Sequence, residues 1–400
     1  MSKEILNPAA GVKRPLGIYL HIPFCRQKCL YCDFLSAPAR ETVIERYVDA
    51  LCAQIDREAA GYRDFCVRTV FIGGGTPSLL STEQIRRIME LLCTHFKLEK
   101  DAEITMESNP GTLDYDRLCG YRRAGINRLS MGLQSAQDKE LKALGRIHDY
   151  NTFLKNYEAA RAAGFDNINV DLMSALPGQT LEGWLDTLRK VAELTPEHIS
   201  AYSLIIEEGT PFYERYGEEK PGPWPPLPTE EEDRLMYERT EQLLKEYGYH
   251  RYEISNYAKP GRECLHNVGY WERTDYVGFG LGSASLVNDV RWKMTDNLSE
   301  FLRIFLEEDE TDGKEEIWHL NGAEQMEEFM FLGLRLTQGI SLRNFREQFK
   351  TGITDVYGTV LRRLEEEGLI LFYEDGKRMK LTPKGVDLSN YVLAQFLLEE

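Results

Sequence analysis

The sequence predicts an α/β protein: a partial (β/α)6 TIM-like barrel followed by a C-terminal winged-helix-like α+β domain. Three observations predict it. Short apolar or β-branched runs alternate with longer amphipathic stretches up to about residue 210, as in βα units around a parallel sheet. Residues 218–230, EEKPGPWPPLPTE, are rich in proline and charge and read as an exposed connection. From about residue 323 the pattern changes to helices and then to LILFYEDGKRMKLT, where Asp375-Gly376 sits between strand-like runs as a hairpin turn. A chain of 400 residues exceeds the usual single-domain range, and these changes divide it into 1–217, 218–322 and 323–400.

The six candidate strands are GIYLHI (17–22), RTVFIGG (68–74), EITMESN (103–109), RLSMGLQ (128–134), NINVDLMS (167–174) and HISAYSLI (198–205). Polar residues gather where they end: Gly73 to Gly75, Glu107 and Asn109, Gln134, and Asp171. Strand C-termini converge on one face of a βα barrel, so these distant positions imply one ligand site. Beyond the proline-rich segment a helix is predicted from Glu231 to Tyr247, with Leu235, Tyr237, Leu243 and Leu244 on roughly one face. VGFGLGSAS, with Gly278, Gly280 and Gly282, lacks the dinucleotide-binding spacing and reads as a strand and turn packing near the barrel. The C-terminal order of helices, hairpin and a TPKG helix start is that of a winged helix.

Charge separates the function classes. The formal net charge of -17 repels a phosphate backbone, and residues 323–400 carry ten basic against thirteen acidic residues. No nucleic-acid partner is therefore expected, and the winged-helix-like domain is read as a packing or interaction module. The first residues show no apolar run of signal-peptide length, and no stretch of about 18 apolar residues occurs, so a cytoplasmic location is expected. In that reducing setting eight cysteines are thiols, metal ligands or redox groups.

Spacing singles out three of them. HIPFCRQKCLYCDF places Cys25, Cys29 and Cys32 as C-x3-C-x2-C directly after a strand. Thiolates hold iron-sulfur clusters, and three of them on one cubane leave one iron open for a small molecule. The alternatives are three buried thiols or a partial zinc site; zinc wants a compact fourth ligand, and His21 lies on the wrong side of the loop. Cys52, Cys66, Cys93 and Cys119 lack partner spacing and read as packed thiols.

The triad, GGGTPS (73–78), ESNPGT (107–112), SMGLQS (130–135), LGRIHD (144–149), DLMSALPGQT (171–180) and YEISNYA (252–258) together resemble the radical SAM family of anaerobic coproporphyrinogen III oxidases and their relatives. The resemblance covers nearly the whole chain. It implies a radical SAM barrel, a 4Fe-4S cluster on Cys25, Cys29 and Cys32, and S-adenosylmethionine (SAM) on the open iron through its amino and carboxylate groups. It implies SAM contacts at Gly74, Gly75, Thr76 and Pro77, where small residues admit close backbone approach. It also implies contacts from Glu107, Gln134, Arg146 and Asp171, whose groups suit an amine, a carboxylate and ribose hydroxyls. Tyr19 and Tyr31 match aromatic or backbone contacts beside the cluster, the alternative being that they fill the barrel mouth.

Within the family the likeness is to its heme-chaperone members. The oxidases have a further cysteine two residues after the third, where this sequence has Phe34, and a longer arm before the cluster loop. CLHNVGYW (264–271) supplies His266, Asn267, Tyr270 and Trp271, matching the chaperones' H-N-x-x-Y-W motif and implying heme as a further ligand. Imidazole is a common axial ligand and aromatic rings cover porphyrin faces, although a lone His beside aromatics is more often structural, and Cys264 is an alternative ligand. Two classes follow. One is a heme chaperone that delivers heme to acceptor apoproteins, with no residue assigned as catalytic. The other is a radical SAM oxidoreductase acting on a tetrapyrrole, which needs an electron donor to cleave SAM. A homodimer is an open option for either.

Overall fold

The computed structural model describes residues 13–217, 222–307 and 311–398. The N-terminal stretch read for a signal sequence and the first residues of the proline-rich connection lie outside the described residues.

All six candidate strands form: β1 (Arg14–Ile22), β2 (Phe65–Gly74), β3 (Leu98–Ser108), β4 (Arg128–Gln134), β5 (Ile168–Ser174) and β6 (His198–Ser203). They pair in parallel in sequence order. Between them run the helices Glu41–Glu58, Thr82–His95, Tyr115–Arg123, Tyr150–Ala162 and Leu181–Glu193. The helix starts are written locally. Ser81 and Gln84 form a reciprocal capping box, and Asp114, Asp149 and Thr180 each accept a backbone N–H of the first turn. β4 and β5 are almost wholly buried, as strands covered on both faces must be.

The sheet is larger than six strands. β7 (His250–Arg251), β8 (Asn256–Ala258), β9 (Tyr276–Phe279), β10 (Ala284–Val287), β11 (Val290–Met294) and β12 (Lys314–His319) extend it to twelve, in the order β12-β11-β10-β9-β1-β2-β3-β4-β5-β6-β8-β7. Among the described residues the two ends do not pair with each other, so the barrel is open. VGFGLGSAS therefore lies in the sheet and not merely near it: β9 pairs in parallel with β1, with Gly17 opposite Tyr276. The helix after the proline-rich segment spans Glu230–Glu246, but its buried face is Met236, Thr240, Leu243 and Leu244, while Leu235 is exposed. Leu235 stands one residue from Met236, about 100° around the helix, which takes it off that face.

The barrel core is one contiguous apolar cluster that includes Ile18, Leu20, Val70, Ile72, Met106, Leu129, Met131, Val170 and Leu172. The C-terminal residues have their own core around Met330, Phe345, Tyr357, Leu361 and Met379. There the hairpin Ile370–Tyr373 and Arg378–Leu381 turns through Glu374, Asp375 and Gly376, all at positive φ.

Candidate functional site

The parallel register brings the strand-end residues together. Glu107 of β3 lies beside Ser130 of β4, Gly132 beside Asp171 of β5, and Asp171 beside Ser200 of β6. Glu107, Gly132 and Asp171 line a cavity of about 410 Å3 at the C-terminal mouth of the barrel. Its wall takes in Cys25, Cys29, Cys32, Tyr31, Gly74, Gly75, Glu107, Gln134, Arg146 and Asp171. Thr76 and Pro77 stand behind the wall, Pro77 starting a short 3-10 turn. Tyr19 does not reach the wall either: it stacks on Phe71 inside the barrel, and its hydroxyl bonds His21 Nδ1 at 2.9 Å.

The cluster loop is held against the glycine segment by backbone bonds. Gly75 N–H donates to Ile22 O at 2.9 Å and Thr76 N–H to Phe24 O at 2.7 Å. The approach is tight: a Cβ on Gly75 would lie 2.6 Å from Phe24 O, and Gly74 sits at φ 109° against the His21 ring. This is the physical content of the small residues in GGGTPS.

Three half-buried thiols with no disulfide partner face one cavity, a donor set that fits a cluster. Thr76 Oγ1 donates to Cys25 Sγ at 3.4 Å and Arg146 Nη1 to Cys29 Sγ at 3.6 Å. Burial pushes the Cys32 thiol up, with a Phe34 backbone hydrogen bond opposing it. Each thiolate of a cubane holds a different iron, so the three need not converge on one point. Among the described residues no group of His, Cys, Asp or Glu is arranged for a single ion. His21 is no zinc ligand in this arrangement, since its Nε2 bonds Leu35 O at 2.9 Å and its Nδ1 bonds Tyr19.

The carboxylates have distinct settings. Glu107 accepts the Gly74 N–H at 3.0 Å, and enclosure, then the Asp171 charge, push its pKa up to about 8. Asp171 accepts from Ser130 Oγ at 3.0 Å and Asn169 Nδ2 at 2.7 Å, and enclosure raises its pKa too. Gln134, at φ 74°, accepts the Tyr202 hydroxyl at 3.0 Å. Arg146 donates to Asn109 Oδ1 at 2.6 Å and to Gly132 O. Tyr202 and Met173 are wall residues that the sequence reading left unassigned. An aromatic inside HISAYSLI was the available signal, but it reads equally as strand packing.

The residues of CLHNVGYW lie elsewhere. Leu265–Trp271 is a helix, and Glu103 of β3 accepts the Leu265 N–H at 3.0 Å and the His266 N–H at 3.1 Å. His266 is 3% exposed. Its Nδ1 bonds Thr69 Oγ1 at 2.8 Å, its Nε2 bonds the Tyr270 hydroxyl at 3.0 Å, and its ring stacks on Phe71. Burial, then the Arg128 charge, lower its pKa to about 3. In this conformation both ring nitrogens are engaged inside the barrel, which is the setting of the structural histidine weighed as the alternative to an axial ligand. Cys264 is buried as well, its thiol donating to Glu103 at 3.6 Å. The cavity beside His266 and Tyr270 is about 50 Å3. Trp271 is half-buried outside that cavity, under the Arg335 guanidinium at 4.4 Å.

An open parallel barrel with a three-cysteine loop at its C-terminal mouth defines the class, and a family model for the Radical SAM superfamily matches residues 19–191. A second family model, the HemN C-terminal domain, matches residues 320–388. The heme chaperone HemW of Lactococcus lactis is 35% identical over 389 residues, covering 97% of this chain and 99% of the relative. The heme chaperone HemW of Bacillus subtilis is 36% identical over 382 residues, covering 95% and 99%. The solved coproporphyrinogen III oxidase (HemN) from Escherichia coli, described as a radical SAM enzyme, superposes with a TM-score of 0.81 at 25% identity over 96% of this chain and 90% of that one. The chain belongs to the heme chaperone HemW family.

Proposed function

We propose that the protein binds heme and passes it to acceptor apoproteins, holding a 4Fe-4S cluster on Cys25, Cys29 and Cys32 and SAM in the mouth cavity. The observation that carries the reading is the end-to-end likeness to proteins named heme chaperones, which spans both the barrel and the C-terminal residues. When bound, cluster and SAM supply one-electron chemistry or a fixed structural plug. The chain's own residues bind and orient: Arg146 suits a carboxylate, Glu107 an amine, Asp171 and Gln134 ribose hydroxyls, and Gly74 and Gly75 let backbone groups approach. Phe34, at the rim and 58% exposed, takes the place of the oxidases' further cysteine and supports the chaperone reading over decarboxylation.

In this proposal heme meets the 265–271 region through the faces of Tyr270 and Trp271. His266 can bind iron only after one of its bonds, to Thr69 or to Tyr270, opens, because one ring nitrogen coordinates while the other keeps its partner. Each such bond contributes about 1 kcal/mol net, within the reach of a coordinate bond and a buried porphyrin face. A cavity of about 50 Å3 is too small for a tetrapyrrole, so the reading requires the helix to move. The overall likeness to the oxidase keeps a second reading, a radical SAM oxidoreductase acting on a tetrapyrrole. Anaerobic reconstitution, heme titration and an assay for 5'-deoxyadenosine test both. Saturable heme binding is expected; its absence, with 5'-deoxyadenosine formed in the presence of a reductant, overturns the chaperone reading in favour of the second.

A further inference from the structure

Two cluster ligands are touched by side-chain donors, and the two donors are joined. Thr76 Oγ1 lies 3.4 Å from Cys25 Sγ, and Arg146 Nη1 lies 3.6 Å from Cys29 Sγ. Between them stands Asn109, at the end of β3. Its Oδ1 accepts from Arg146 Nη2 at 2.6 Å, and its Nδ2 donates to Thr76 Oγ1 at 2.8 Å. Arginine is a donor only, which fixes the amide: Oδ1 must face the guanidinium and Nδ2 the threonine. The Thr76 oxygen then already accepts a hydrogen bond, and its own proton is left for Cys25.

The other bonds at this point hold the three residues still. Arg146 Nη2 also donates to Gly132 O on β4. The Asn109 backbone accepts from Thr112 Oγ1 at 2.6 Å and donates to Ser78 Oγ at 3.3 Å. Thr76 is buried and anchored through its N–H to Phe24 O, one residue before Cys25. The three residues thus sit just past the ends of β2 and β3 and on the connection from β4 to β5, while the thiols sit on the loop after β1.

We propose that Thr76, Asn109 and Arg146 form a relay that presents a hydrogen-bond donor to each of two cluster thiolates, Cys25 and Cys29, and so sets the reduction potential of the cluster. The proposal rests on the cluster reading above. Hydrogen bonds to the sulfurs are one of the few levers a protein has on that potential. Reduction adds negative charge to the cluster and its thiolates, so a donor stabilises the reduced state more than the oxidised one. Removing a donor makes reduction harder and the potential more negative. Asn109 touches neither sulfur; it is a positioning residue that aims both donors.

The test is a redox titration, followed spectroscopically, of the anaerobically reconstituted full chain without SAM, with iron and sulfide measured on the same samples. Thr76→Val removes the hydroxyl with little change of volume, and Thr76→Ser keeps it. The Val variant is expected to shift the reduction equilibrium about tenfold against reduction, ~59 mV for one electron, while Ser stays at the wild-type value. Arg146→Lys keeps the charge but not the planar fork that reaches Cys29 and Asn109 together, and it is expected to shift the same way. A Val variant with a full cluster at the wild-type potential overturns the relay, as does a Ser variant shifted as far as Val. If Thr76→Val fails to hold its cluster, Arg146→Lys decides by the same criterion. A wild-type chain that takes up no iron and sulfide fails at the earlier step, the cluster reading, and the relay falls with it.

Discussion

Replacing His266 with alanine should lower stability at neutral pH and also remove part of its dependence on acid. The imidazole is 3% exposed, bonds Thr69 and Tyr270, and packs on Phe71 at a centroid distance of 5.2 Å and edge-on to Tyr270 at 4.9 Å. Losing two hydrogen bonds costs about 1 kcal/mol each, and the ring contacts and the cavity left behind bring the expected loss to about 3–5 kcal/mol. The acid dependence follows from the depressed pKa, about 3 against an ordinary 6.5, caused first by burial and then by Arg128. Between those values the unfolded chain binds a proton at this residue and the folded chain does not. Its contribution is therefore present above pH 6.5 and is lost on acidification, at about 1.4 kcal/mol per pH unit, or about 2 kcal/mol by pH 5. His198, also buried with a lowered pKa, contributes its own slope to both proteins. Urea unfolding midpoints from pH 5 to 7.5 measure the two effects. The variant should be less stable at pH 7.5 and fall less steeply below pH 6.5. A loss under about 1 kcal/mol, or a wild-type acid slope in the variant, would refute the closed histidine network.

Other outcomes follow from the same geometry. Cys25→Ala, Cys29→Ala and Cys32→Ala should each abolish the cluster, because two thiolates cannot hold a cubane with an open iron, while exposed Cys93→Ala should leave iron and sulfide content unchanged. A reconstituted chain with SAM and reductant should form no protoporphyrinogen from coproporphyrinogen III above a no-protein control, as chromatography would show. In heme titrations His266→Ala should change the absorption spectrum more than the affinity. Trp271→Ala should do the reverse, since a half-buried indole offers porphyrin-covering area but no ligand.

Much of the site could be read along the chain. The cysteine loop, the glycine segment and the polar strand ends are local signals: a strand has period two and a defined end, and the residues just past that end face one side of a βα barrel. The same locality misplaced Leu235, because a helix face inferred from a few apolar residues does not say which neighbour covers it. It also left the 276–279 strand beside the barrel, since pairing with β1 across more than two hundred residues leaves no mark in either segment.

By itself the sequence determined the six parallel strands, the three thiols and their common face, because spacing and alternation dictate local conformation and burial. Only the tertiary structure decided what the buried polar groups bond to. His266 reads as an available ligand in CLHNVGYW, yet Thr69 and Tyr270 occupy both its nitrogens. Thr76, Asn109 and Arg146 read as separate ligand contacts or a bare strand-end amide, yet they join behind Cys25 and Cys29. A buried hydrogen bond must be satisfied by whichever group the fold brings within about 3 Å, and that group is fixed by strand register and loop path rather than by distance along the chain.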